Sequence, residues 1–86
     1  MEKMNTVAAT LQQAARNRWG DDFIAPLVRE YCRLENLESA PGSTPATPKN
    51  RRSYVVRFFE GHNCTAQVLL RIAEACQCEI SISQKL

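Results

Sequence analysis

Three prolines in one short segment constrain the fold of this chain more than any other feature. Pro41, Pro45 and Pro48 lie in "SAPGSTPATPKN", residues 39–50. Proline lacks a backbone N–H and has a fixed φ, so this segment can be neither a continuous helix nor a central strand. Its only apolar side chains besides the prolines are two alanines, which predicts an exposed loop over residues 38–50.

This loop lies within a single predicted domain, residues 1–86. The chain has 86 residues, and chains divide into several domains only at larger sizes. Residues 1–37 show helical periodicity and form the N-terminal part. Residues 51–86 combine helical periodicity with a final stretch that alternates like a strand. We therefore expect a mainly α fold with four helices and a short C-terminal β-strand.

The first predicted helix has apolar side chains at spacings of three and four residues between Met4 and Ala15. Asn5 or Thr6 would cap its start. Gly20 would end it, because glycine adopts the left-handed conformation that terminates many helices.

The second predicted helix follows Asp21 or Asp22 as its cap and ends near Leu37. Pro26 must lie in its first turn, where a missing N–H does least harm. Its outward face would carry the charged residues Arg29, Glu30, Arg33 and Glu35.

The third predicted helix, residues 51–60, is encoded by "RRSYVVRFFEG", with Asn50 or Ser53 as the cap and Gly61 as the stop. The high β-propensity of this stretch leaves a strand open as an alternative. The inward face would hold Tyr54, Val55, Phe58 and Phe59. The outward face would hold Arg52, Ser53, Val56 and Arg57.

The fourth predicted helix runs from Ala66 to about Cys76 behind a Thr65 cap. Leu69, Ile72, Ala73 and Cys76 would face inward. Gln67, Arg71 and Glu74 would face solvent.

A strand is predicted at Glu79–Ser83, where apolar and polar residues alternate. A single strand leaves its backbone N–H and C=O groups unpaired. The same strand of a second copy is the expected neighbour, which predicts a homodimer about a two-fold axis. Its interface would consist of Ile80, Ser81 and Ile82.

Cysteines and the lone histidine give little sign of a metal or catalytic site. Structural zinc usually needs cysteine pairs two to four residues apart, whereas Cys76 and Cys78 form C-x-C. We expect small buried hydrophobic side chains, no metal and no cofactor. The lone His62, two residues from Cys64, is a weak signal for a nucleophilic pair, so we expect no enzyme.

The cell compartment and the charge follow from simple patterns. No apolar run approaches the ~18 residues of a membrane helix, and the N-terminus lacks the apolar core of a signal peptide, so we expect a cytoplasmic protein. The net charge is +2, but Lys49, Arg51, Arg52 and Arg57 form a cluster with no acid between them. Such a cluster is a candidate nucleic-acid footprint and is also common on solvated surfaces.

The C-terminal half resembles the lambda-repressor-like (Xre-type) helix-turn-helix family. "CTAQVLLRIAEACQCEISI" is similar to the last core helix of that family, followed by the strand of HigA-like antitoxins. "RSYVVRFFEGHN" resembles the recognition helix with its glycine turn. The resemblance covers residues 49–83, about two-fifths of the chain. The chain departs from the family at Phe59, where an acid is usual, and at Ala40–Pro48, where the family has the bracing helix; the helix upstream would take over that role.

The resemblance implies a small helix-turn-helix-like transcriptional regulator of bacterial or phage type. It would read DNA as a dimer with the helix 51–60. Lys49, Arg51 and Arg52 would bind phosphates at the N-terminus of this helix. Ser53 and Arg57 would reach base edges, and Val56 a thymine methyl.

A second hypothesis belongs to another functional class. The chain would be a protein-binding module of a phage or mobile element, on a degenerate helix-turn-helix scaffold, that inhibits a host enzyme or a defence complex. The Pro-rich loop and the basic cluster would then contact the protein partner.

Overall fold

The chain folds into four α-helices within residues 2–78, the part that the computed structural model describes, with side chains described from Val7 onward. The helices are α1 (Glu2–Trp19), α2 (Ile24–Glu38), α3 (Pro48–Phe59) and α4 (Ala66–Ala75). The mainly α fold and the number of helices are confirmed over this range. The predicted C-terminal strand, with Ile80, Ser81 and Ile82, lies outside the described residues.

Helix α2 makes the most extensive contacts between helices, packing against both α3 and α4. Helix α1 contacts α3, and α3 also contacts α4. The amphipathic pattern of α2 puts one stripe entirely in the core. The buried residues of α2 are Leu27, Val28, Tyr31 and Cys32.

Three phenylalanines connect α3 to the turn between α1 and α2. The rings of Phe58 and Phe59 lie edge to face with centroids 4.9 Å apart, and Phe59 meets Phe23 at 5.5 Å. Both separations are in the range that favours aromatic pairs. Phe58 is 2% exposed and Phe23 4%, so this cluster is part of the core.

Several predicted helix ends are confirmed. Gly20 has φ 85° and Gly61 φ 90°, the left-handed conformation that suits glycine. The Thr65 hydroxyl accepts a hydrogen bond from the Val68 N–H at 3.2 Å. Pro26 is the third residue of α2 and thus lies in its first turn.

The predicted caps of the first two helices are wrong. Helix α1 begins at Glu2, upstream of the expected caps Asn5 and Thr6. Helix α2 begins after Phe23, which makes no side-chain cap, so neither aspartate before it caps the helix. Because Phe23 is buried, core packing rather than a polar cap positions this helix start.

Helix α3 begins earlier than its pattern predicted, at Pro48, and the loop is correspondingly shorter. Thr47 is the cap. Its hydroxyl accepts from the Asn50 N–H at 3.3 Å, and its own N–H donates to Asn50 Oδ1 at 2.8 Å, a capping box. Neither Asn50 nor Ser53 is therefore the cap. Proline suits the first helical position because its missing N–H would have no partner there.

The loop is attached to the core at one residue, although its sequence predicted an exposed segment throughout. Ala46 is 5% exposed. Its N–H donates to Asn36 Oδ1 at 2.8 Å, and its C=O accepts from Asn36 Nδ2 at 3.0 Å. The side chain of Asn36 thus pairs with the backbone as a neighbouring strand would. Residues 39–45 are exposed.

We expect proteases to cut first within residues 39–45, and Asn36→Ala to speed this cleavage several-fold. The substitution removes both hydrogen bonds to Ala46, each worth about 1 kcal/mol, and so favours local opening. Limited proteolysis with mass spectrometry measures the rate and position of cleavage. Ser43→Ala in the same loop is the control. Equal cleavage of Asn36→Ala and the wild type would show that Asn36 does not restrain the loop.

Candidate nucleic-acid interface

The outer face of α3 is basic and exposed. Val55 and Phe58 are 0% and 2% exposed and direct one side of the helix into the core, as predicted. Lys49, Arg52 and Arg57 lie exposed on the remaining surface. We call these three residues together with Ser53 and Val56 the α3 basic face. Ser53 is exposed and Val56 half-buried, and the helix contains no acidic residue.

The start of α3 conflicts with the helix dipole. Lys49 is its second residue, Arg51 and Arg52 are its fourth and fifth, and its first turn holds no acid, although the N-terminus of a helix is its positive end and disfavours cations. The charge of Arg51 is balanced by the carboxylate of Glu35. Lys49 and Arg52 have no ion-pair partner within residues 7–78. Local conflicts of this kind are expected at functional or strained sites, and an anion at this end of the helix would relieve it.

Arg51 does not belong to the exposed set, contrary to its predicted role in phosphate binding. Its guanidinium binds Glu35 of α2 with both branches, Nε to Oε1 at 2.9 Å and Nη2 to Oε2 at 2.7 Å. The Arg51 side chain is only 21% exposed. The prediction that Glu35 faces solvent is wrong as well, since its side chain is 17% exposed. This ion pair clamps α3 to α2.

The hydrogen bond from Arg51 lowers the pKa of Glu35, against a smaller opposing effect of burial. The carboxylate is therefore the favoured form in the folded protein. The same bond raises the pKa of Arg51. Both shifts have the direction that an ion pair produces, since each partner favours the charged form of the other.

Arg71 of α4 is buried, although its position in the helical pattern predicted an outward side chain. The side chain is 9% exposed, with Nη2 2.8 Å from Glu38 Oε1 and Nη1 3.7 Å from Glu35 Oε1. The guanidinium lies over the ring of Tyr31 at 5.5 Å. Its Nε is buried and has no hydrogen-bond partner among the described residues.

Sequence reasoning missed this charge network, but one signal was present. Glu35 and Glu38 are three residues apart near the end of α2, so they share one side of that helix. Acids are unfavourable at the negative end of a helix, just as bases are at the start of α3. The acids at the end of α2 and the bases at the start of α3 stabilise each other across the contact between these two helices.

Tyr54 is not a core residue, contrary to the expectation, and is 46% exposed. Successive residues of a helix are about 100° apart, and Val55 with Phe58 occupies the centre of the buried face. Tyr54 thus lies at the margin of that face, with the Arg51 guanidinium 5.2 Å from its ring centroid.

A cleft of about 540 Å³ opens between α2, α3 and α4 beside the α3 basic face. Its walls carry three arginines, two glutamates and several polar or aromatic side chains. The residues of the walls include Tyr31, Tyr54, Arg57, Thr65, Gln67 and Arg71. Arg57 borders both the cleft and the α3 basic face. Arg57 makes no ion pair with Glu60, three residues further on in the chain; Glu60 Oε1 lies 3.7 Å from His62 Nε2.

The cysteines are thiols that pack as small apolar groups. Cys32 and Cys76 are buried, and Cys64 and Cys78 half-buried. Burial raises the pKa of Cys76 to about 11, so its thiol stays protonated at neutral pH. Across the residues that the structure describes, no group of three or more histidine, cysteine or acidic side chains is placed to hold a metal ion.

Two further findings bear on function. Over the described residues, none of the helices has the length and apolar character needed to cross a membrane. Comparison of the chain with protein-family models, curated proteins and solved structures finds no match.

Proposed function

We propose that the chain binds DNA through the α3 basic face and acts as a small transcriptional regulator. One observation carries this proposal. Lys49 and Arg52 are exposed at the positive end of α3 without an ion-pair partner among the described residues. Backbone phosphates would remove this conflict because they are anions at a helix N-terminus.

The dimensions of a helix suit the major groove. A helix with its side chains is about 10–12 Å across. The major groove is about 12 Å wide and admits an α-helix. In this arrangement Lys49 and Arg52 contact phosphates, while Ser53 and Arg57 reach base edges and Val56 meets a thymine methyl.

Helix α2 would brace the reading helix in place of the helix that the Pro-rich segment interrupts. The observation in favour is the ion pair of Arg51 with Glu35, together with the close packing of α2 on α3. Arg51 is accordingly assigned to bracing, and the DNA contacts are assigned to the five residues of the α3 basic face.

A salt titration of DNA binding tests the proposal. The affinity of the wild type for a labelled random duplex is expected to fall steeply with salt, with a slope of about −0.9 per phosphate contact. Arg52→Ala should lower the slope by about one unit and leave the melting temperature unchanged. Arg29→Ala, an exposed arginine on α2, is the matched control and should bind as the wild type does.

The opposite result would favour the protein-binding hypothesis. Salt-independent binding, or equal affinities of Arg52→Ala, Arg29→Ala and the wild type, would contradict DNA contact by α3. The observation that favours a protein partner is the exposure of three large apolar side chains, Leu37 (69%), Leu70 (47%) and Tyr54 (46%). Aromatic side chains are enriched in protein interfaces, and burial of exposed leucines against a partner would be favourable.

The dimer belongs to the same proposal. A second copy would position two reading helices at half-site spacing, with Ile80, Ser81 and Ile82 in the interface. Removal of residues 79–86 is then expected to convert a dimer to a monomer in sedimentation and to weaken DNA binding. A full-length chain that sediments as a monomer at micromolar concentrations would contradict it.

A further inference from the structure

We propose that the cleft between α2, α3 and α4 binds a small aromatic anion, a ring that carries a phosphate or a carboxylate. Its anionic group would lie between Arg57 and the N-terminus of α4. Its ring would lie against Tyr54. This site is separate from the phosphate contacts of Lys49 and Arg52, and its occupation is a new property of the chain.

The charge of the cleft favours an anion at one place. The glutamates in the walls, Glu35 and Glu38, are already bound by Arg51 and Arg71. The third arginine of the walls, Arg57, has no ion-pair partner among the described residues. The unbalanced charge of the cleft is therefore positive and resides on Arg57.

The start of α4 adds hydrogen-bond donors to the same cleft. Thr65 and Gln67, at the cap and the second position of this ten-residue helix, both line the cleft. A helix leaves its first four N–H groups without partners inside the helix, and the Thr65 hydroxyl accepts only that of Val68. Backbone donors and the positive end of the dipole favour an anion there.

The walls of the cleft also include the buried guanidinium of Arg71. The Arg71 side chain is more than nine-tenths buried and lines the cleft, yet its Nε has no partner among the described residues. A buried donor without a partner is costly, and such a group in a native structure requires an explanation. Glu38 and Glu35 already bind the Nη atoms of Arg71, so the anion would be held chiefly by Arg57 and the start of α4.

The size and aromatic lining of the cleft indicate the rest of the ligand. A volume of about 540 Å³ falls in the range of small-molecule sites. Tyr31, Tyr54 and Phe58 line it, and the ring of Tyr54 is half-exposed. A flat ring against Tyr54 would cover this surface and gain a stacking contact.

Nuclear magnetic resonance titration without DNA tests the site. Adenosine monophosphate and phenyl phosphate are the probes, with adenosine and phenol as their uncharged counterparts. We expect saturable shifts of the Thr65, Ala66 and Gln67 amides and of the Arg57 Nε–H, with the charged probes binding at least about tenfold more tightly. Arg57→Gln should weaken both charged probes about tenfold.

Gln67→Glu is the second variant, because a loss of binding that it causes cannot be attributed to unfolding of the protein. An acid in the first turn of α4 stabilises the helix, so the melting temperature should stay the same or rise while binding of the charged probes falls. Arg29→Gln should change neither the melting temperature nor the binding of the charged probes. Equal affinity for charged and uncharged probes, shifts that do not saturate, or binding that neither Arg57→Gln nor Gln67→Glu weakens would overturn the proposal.

An occupied cleft would withhold Arg57 from DNA, a consequence that rests on the proposed function. Failure of the DNA-binding proposal and failure of the cleft proposal can be distinguished by experiment. Arg52→Ala should lose DNA affinity and keep the affinity for adenosine monophosphate, since Arg52 is not part of the cleft wall. Gln67→Glu should lose the nucleotide and keep most of the DNA affinity.

Discussion

Replacement of Phe58 with alanine is expected to lower the free energy of unfolding by about 3 to 5 kcal/mol. The side chain is 2% exposed, and its loss leaves a cavity between α2, α3 and α4 that the surroundings refill only in part. It also removes the edge-to-face pair with Phe59 at 4.9 Å. A domain of this size is stabilised by only about 5 to 10 kcal/mol, so much of the protein would unfold on mild heating.

Tyr54→Ala is the matched control for that measurement. Both residues are aromatic and lie one turn apart in α3, but Tyr54 is 46% exposed, so its removal should cost less than about half as much. Urea unfolding followed by circular dichroism gives both free energies with their slopes. Equal losses would mean that Tyr54 packs in the core, as the helical pattern alone predicted, and would contradict the cleft described above.

Replacement of Glu35 with alanine is expected to lower the free energy of unfolding by about 2 to 3 kcal/mol, because it breaks a largely buried ion pair from one side. Arg51 loses its carboxylate partner among the described residues. Arg71, with its side chain 9% exposed, loses its 3.7 Å contact with Glu35 and keeps only Glu38, at 2.8 Å, among those residues. The contacts of both arginines are between helices, so their loss loosens α3 and α4 on α2 together.

The dependence of the free energy of unfolding on pH should reveal the contribution of the Glu35 carboxylate. The pKa of Glu35 is lowered by the hydrogen bond from Arg51, so its contribution is fully present above the ordinary value of 4.5. As the pH falls below 4.5 and through the lowered pKa, Glu35 is protonated in the folded state and the contribution is lost. The wild type should therefore lose more stability than Glu35→Ala between neutral pH and pH 3.

Glu30→Ala provides a control from the same helix. Arg33 also binds Glu30 with two hydrogen bonds, at 2.9 and 2.6 Å, but the Arg33 side chain is 57% exposed. An exposed ion pair stabilises little, so the melting temperature of Glu30→Ala should stay close to that of the wild type. If Glu30→Ala and Glu35→Ala behaved alike, burial of the Arg51 pair would not be the source of its effect.

Local signals in the sequence determined most of the helical framework. Gly20, Gly61, Thr65 and Pro26 act on the backbone within a turn of their own position, so their effects were predictable without knowledge of the packing. The same holds for the burial of Val55 and Phe58 against the exposure of the α3 basic face, because helical periodicity separates the two sides.

The cleft and its charge network were decided only by the tertiary structure. Arg51 and Glu35 are sixteen residues apart, and Arg71 and Glu38 thirty-three. Periodicity tells which residues share a face, but whether a charged residue at the margin of that face meets solvent or a partner depends on how the helices pack. For the same reason Tyr54 was misassigned to the core and Arg71 to solvent, and the unbalanced charge of Arg57 became visible only once Glu35 and Glu38 had been matched to the other two arginines.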